Sequence, residues 1–238
     1  MSRLAAILLL VALAGCESTQ SKSARLERAA QSAKHETGLS ITREASEIAV
    51  EGTTLLQTDA GAATVVELVN RSKGSLVALP IGIAVRDAGG KSVYANDAPG
   101  LDASLVQVPA LAPGEKLGWV NDQVTLAEPG KAVEARVGVG AKPGPAELPV
   151  MEISDLKTET DAGGSLAIVG TVANRSQVAQ KRLVVFAVAR KGGRIVAAGR
   201  AIVDELAAGK STHFSAFPIG DPAGARLSAA APPTVVTP

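Results

Sequence analysis

Few side chains in this sequence have the type and spacing to do chemistry. There is one cysteine, Cys16, and there are two histidines, His35 and His213. A disulfide needs two thiols, so the fold must stand without one. No Gly-x-Ser-x-Gly raises a serine on a nucleophile elbow, and no P-loop occurs. Gly138-Val139-Gly140 precedes prolines rather than a helix, which removes the dinucleotide-fingerprint reading. One acidic group remains to be weighed: Asn96, Asp97 and Asp102 follow Tyr94, with Asp87 or Asp122 within reach if a sheet gathers them. Calcium takes about six to eight oxygens, and the regular Asp-x-Asp spacing that supplies them is missing. A solvated turn on Asp97-Ala98-Pro99-Gly100 is the expectation instead. Tyr94 and Trp119 are the only Tyr and Trp; both are expected in a core, the alternative being that one anchors a partner. No catalytic residue, metal or cofactor is expected, and His213 is placed on the solvent side of a late strand.

The one thiol has a telling context. Arg3 supplies a positive start, Leu4 to Ala12 form an uncharged apolar run, and Leu13-Ala14-Gly15-Cys16 follows. The run is well short of the roughly 20 residues a membrane span needs. The tetrapeptide resembles the lipobox of bacterial lipoproteins, and the resemblance implies that residues 1–15 are a signal peptide removed before Cys16. Cys16 would then carry a diacylglyceryl group, the only prosthetic group expected. Acyl chains contribute roughly 0.8 kcal/mol per buried CH₂, and stable anchoring needs more than one chain, which a diacylglyceryl group provides. Glu17 rather than Asp after the cysteine makes the outer membrane, facing the periplasm, the default in a diderm host. In a monoderm host the outer face of the cell membrane is implied.

Charge and composition narrow the partners. The chain has 24 basic and 23 acidic side chains, so no basic field marks a nucleic-acid site. Five aromatic residues, three of them Phe, leave no stacking platform for bases or sugars. The core must come from Val, Leu, Ile and Ala.

These residues need elements to position them. Residues 16–37 are polar with a weakly helical stretch at 24–33, and read as a tether reaching roughly 25 Å as a flexible coil. Beyond it, short alternating segments separated by Gly, Pro, Asn and Asp predict an all-β sandwich pattern. Strands are expected at 48–50, 64–69, 79–86, 92–94, 105–108, 116–120 and 133–139. The pattern occurs twice. Asp59-Ala60-Gly61 recurs at Asp161-Ala162-Gly163, and Asn70-Arg71-Ser72 at Asn174-Arg175-Ser176. Ile83-Ala84-Val85-Arg86 through Gly90 recurs from Phe186 to Gly193, and Leu111-Ala112-Pro113-Gly114 at Leu206-Ala207-Ala208-Gly209. A tandem duplication follows, with domain one at 38–141, a Pro/Gly linker at 142–149, domain two at 150–228 and a loose tail at 229–238. The two domains are expected to fold independently. Ile83 and Val85 share one face of a pleated strand, as do Phe186 and Val188, and both pairs are expected to pack on the opposing sheet of their own sandwich.

The repeated order of strand, Asn-Arg-Ser turn, strand, Gly-Gly hairpin, strand, Pro-Gly turn and strand resembles the FxLyD-type immunoglobulin-like domain of bacterial lipoproteins. In that family a Phe-x-Leu-Tyr-Asp strand precedes a glycine turn. The corresponding residues here are Phe186-Ala187-Val188-Ala189-Arg190 and Ile83-Ala84-Val85-Arg86-Asp87. Domain two keeps the Phe, domain one keeps the Asp, and neither has the Tyr. The resemblance implies two tandem immunoglobulin-like sandwiches.

The copies differ in one informative place. Gly90 and Gly114 are 24 positions apart, whereas Gly193 and Gly209 are 16 apart. Domain one therefore carries an insertion around 96–102, and loops on a rigid scaffold are where binding residues gather. The expected partner-binding residues are Tyr94, Asp97, Leu101 and Asp102, with Trp119 a fifth. The expected role is a non-enzymatic binding or spacer module in the cell envelope, held to the membrane by lipid and meeting an envelope protein partner. An accessory assembly subunit of a larger envelope complex and a divergent hydrolase are the alternatives.

Overall fold

The computed structural model describes residues 38–140, 142–161 and 163–237. Cys16, the signal segment and the tether lie outside the described residues. Residues 37–238 fall in one compact unit. The first half holds β1 (Ile48–Thr58), β2 (Gly61–Asn70), β3 (Leu76–Arg86), β4 (Ser92–Ala95), β5 (Gln107–Leu111), β6 (Lys116–Val124) and β7 (Ala132–Val137), with one 3-10 turn at Ala103–Leu105. The second holds β8 (Met151–Thr160), β9 (Leu166–Asn174), β10 (Gln180–Lys191), β11 (Arg194–Leu206), β12 (Ser211–Ala216), β13 (Ile219–Gly220) and β14 (Arg226–Ala230). The fold is all-β, antiparallel and sandwich-like. β1 runs far beyond the expected 48–50, because the register slip between Val50 and Gly52 is a bulge that the strand passes through.

Each half repeats one plan. A three-stranded sheet, β1-β2-β6 or β8-β9-β12, faces a sheet built on β3 or β10. Each sheet draws its strands from one half only. β3 pairs with β5 near its start and with β4 near its end, where β10 pairs with the single long strand β11. The inserted residues are what divide β11's counterpart into β4 and β5. Both halves place a non-glycine residue at positive φ at the same unpaired step of the strand, Ala78 (φ 51°) and Arg182 (φ 48°), with the register unchanged across it. That match sets the strand offset at 104, the same as for Asn70 and Asn174.

This register corrects the expected one. Ile83 is equivalent to Ala187, and Arg86 to Arg190; aligning Ile83 with Phe186 is one residue out, because the second Gly-Gly hairpin is one residue shorter. A one-residue slip turns every side chain to the other face. Ile83 and Val85 do face the core of their own half. Phe186 and Val188 instead leave their own sandwich and join Val65, Val120 and Leu68 of the first half in one hydrophobic cluster. On the other side of β10, Leu183, Val185, Ala187 and Ala189 pack with Val172, Phe214 and Ile168 of their own half. β2 and β10 are thus buried on both faces, and the four sheets stack in layers with β2 and β10 inside.

Two further expectations change. The halves share a core, so they are joined by more than the linker, whose Pro143 bridges to Leu76. The expected loose tail at 229–238 is packed over its described part, 229–237: 229 and 230 belong to β14, and Ala231, Pro232 and Pro233 are buried. The buried Gln180 side chain accepts hydrogen bonds from the Thr234 and Val235 amides and donates to the Val235 carbonyl, pinning that end.

Candidate functional site

The insertion begins with a clamp. Asn96 is buried; its amide nitrogen donates to the carbonyls of Ile81 (2.9 Å) and Leu105 (2.7 Å), and its oxygen accepts from the Ile83 amide (2.7 Å). It supports backbone and is not a free ligand. Asp102 caps the 3-10 turn by accepting from the Ser104 amide (2.9 Å) and hydroxyl (2.6 Å). The same carboxylate pairs with Arg182 of the second half. The Ser104 hydroxyl bond and the Arg182 charge hold the Asp102 carboxyl below its ordinary range, the hydroxyl bond being the larger cause.

Of the other expected contacts, Asp97 is exposed and Leu101 half-buried. Tyr94 is half-buried in β4, where its hydroxyl accepts from the Asn121 amide (3.1 Å), and burial raises its pKa. Trp119 is fully buried, with its indole N–H donating to the Gln107 carbonyl (3.1 Å). Tyr94, Asn96 and Asp102 are therefore tied into the fold, and Asp97 and Leu101 remain toward solvent. His213 is exposed on β12, 3.1 Å from the Thr171 hydroxyl.

The strongest polar constellation lies between the halves. Arg200 is almost wholly buried, its side chain 4% exposed, and Asp122 is 16% exposed. The Asp122 carboxylate accepts from Arg200 Nε (2.8 Å) and from the Arg200 amide (2.9 Å), and Arg200 Nη1 donates to the Ser104 hydroxyl. Arg190 pairs with Glu67 at 2.7 Å across the same seam. Asp122 is thus committed to an arginine rather than to the acidic group weighed from sequence. Among the described residues no three His, Cys, Asp or Glu side chains converge as metal ligands. A cavity of about 290 Å³ opens at the seam between Asp102, Ser104, Gln107, Arg182 and Ile202.

Sequence reasoning missed Arg182, Arg190 and Arg200. The signal was faint: Arg200 sits in Ala197-Ala198-Gly199-Arg200-Ala201-Ile202-Val203, a charge inside an apolar strand, which has to find a partner when buried. Set against known proteins, the chain matches no family model and no curated protein sequence.

Proposed function

We propose that this chain is a non-enzymatic, lipid-anchored protein of the cell envelope in which two immunoglobulin-like repeats of FxLyD type form one rigid body, serving as a binding or spacer module. The observation that carries this reading is the seam. Its buried Arg200–Asp122 pair and the shared cluster around Phe186 commit charged and apolar groups of both repeats to holding one fixed shape. Rigidity suits a spacer or a scaffold for loops better than it suits a hinged catalytic cleft. Asp97 and Leu101, on the insertion, are the residues offered to an envelope partner. Accessory assembly by strand addition has less support at β8, an edge strand bulged at Asp155 (φ 56°) and carrying Lys157, features that blunt an edge.

The anchor is tested by Cys16→Ser. The variant should lose acylation and leave the detergent-rich phase in phase separation; unchanged partition would remove the anchoring reading. Crosslinking in membranes, with Asp97 and Leu101 replaced by Ala, tests the loop: capture of the same partner at full yield would exclude it as the contact.

A further inference from the structure

The two repeats meet through different faces. The first offers the outer face of its three-stranded sheet, with Leu56, Val65, Gly118 and Val120. The second offers the outer face of the sheet around β10, with Val184, Phe186, Val188 and Arg190. A contact of this head-to-tail kind is not self-complementary, and each repeat retains a copy of the face it does not use. Left bare and complementary, those two faces would add further molecules at both ends.

We propose that the chain closes both ends of this stack with built-in caps, a strap over the first repeat and a solvated face on the second, and so remains a monomer. On the first repeat, Pro80, Gly82 and Ala84 occupy the positions of Val184, Phe186 and Val188. Where Phe186 projects, Gly82 leaves a hollow, and residues 38–45 lie over it. A Cβ on Gly82 would stand 3.3 Å from Ile41 Cδ1 and 3.6 Å from Leu39 Cδ2. The strap is held down by backbone: the Val139 amide donates to the Arg43 carbonyl (3.1 Å), and the Ala45 amide to the Val137 carbonyl (2.9 Å). Glu44 pairs with Arg136 beside them. A segment of the chain itself thus takes the place that a neighbouring repeat takes on β10.

On the second repeat the copied face is altered one position at a time. The strand registers place Lys157, Glu159, His213 and Ser215 where the first repeat has Thr54, Leu56, Gly118 and Val120. The change at Gly118 is the most telling. A Cβ there would already stand 3.3 Å from Val188 Cγ2, so close approach of β10 needs a residue without one, and the copy has an exposed histidine. Lys157 and Glu159 pair with each other at 2.7 Å in solvent. Docking a β10-type face here would strip water from an ion pair and an imidazole and set them against apolar side chains, a desolvation cost that the first repeat's Thr54, Leu56 and Gly118 do not carry.

Two measurements test this. Gly82→Phe restores the missing knob and evicts the strap, so trypsin should cut early after Arg43 while the rest of the body resists. Arg43 as resistant as in the native chain would overturn the strap as a cap. So would collapse of the whole body's resistance, since the strap would then be part of the fold. Sedimentation velocity in density-matched detergent then compares the native chain with a variant opened at both ends, carrying Gly82→Phe, Ala84→Val, Lys157→Thr, Glu159→Leu, His213→Gly and Ser215→Val. The native chain should sediment as a monomer and the opened variant as species that grow with concentration. Self-association of the native chain, or a folded opened variant that stays monomeric, would overturn the proposal.

Discussion

Asn70 and Asn174 do the same work in both copies. Each oxygen accepts from the amide and hydroxyl of the serine two residues on, and each nitrogen donates to carbonyls within the turn and across to Leu111 or Leu206. Both are fully buried. This role was legible because its bonds are mostly local. The Arg200–Asp122 pair was not, since its partners are 78 residues apart and nothing in either neighbourhood points to the other. Removing one member of a buried pair strands the other's charge, at a cost of about 3–5 kcal/mol. Asp122→Ala should lower the urea unfolding free energy by that order; a loss no larger than for an exposed pair would show the seam to be wet. Asp102 carries a pH signature. Its folded pKa is depressed, so its contribution is present above the ordinary carboxylate value of about 4 and is lost as pH falls through the folded value. Glu115 runs the other way: burial raises its pKa, so its contribution is present at low pH and lost as pH rises through the folded value. Urea midpoints of the native chain and Asp102→Asn, compared across a pH series, should differ at neutrality and converge in acid. A constant difference would exclude the carboxylate as the cause.

At the scale of elements, β3 and β10 show what a pattern can and cannot say. β3 alternates buried and half-buried residues along its whole length, as a strand with one covered face should. β10 reads Leu183-Val184-Val185-Phe186-Ala187-Val188-Ala189, an unbroken apolar run, and all seven are buried. Such a run means that both faces are covered, but not by what. The duplicated glycines drew the alignment one residue away from the strand register, and that slip placed Phe186 on the wrong side. The insertion was found by counting, and the structure places it on the edge of β3 between β4 and β5. Its attachment to Arg182 and Arg200 was hidden because both arginines lie in the other copy. Burying a side chain such as Val65, Val120, Phe186 or Val188 is worth roughly 1.5–3 kcal/mol each, together comparable to a domain's whole stability. Residues 150–238 expressed alone should therefore aggregate or unfold, with rapid amide exchange along β10. A monomeric, well-protected fragment would show that the seam is dispensable to folding.

At the scale of the molecule, the all-β class was legible, and so was the repeated order of strands and turns, because turns and glycines recur in order. The shared core was not, because repeated sequence says that two units are alike and is silent on which faces meet. The layered stack has a metrical consequence. Packed sheets lie about 10 Å apart, so a two-sheet repeat adds roughly 20 Å of height. A third repeat with the β2-side face of the first copy and the β10-side face of the second would slot between the present two without altering either end. As the spacer proposed above, the layered body would be a ruler with a fixed graduation, its reach set by how many such repeats are stacked.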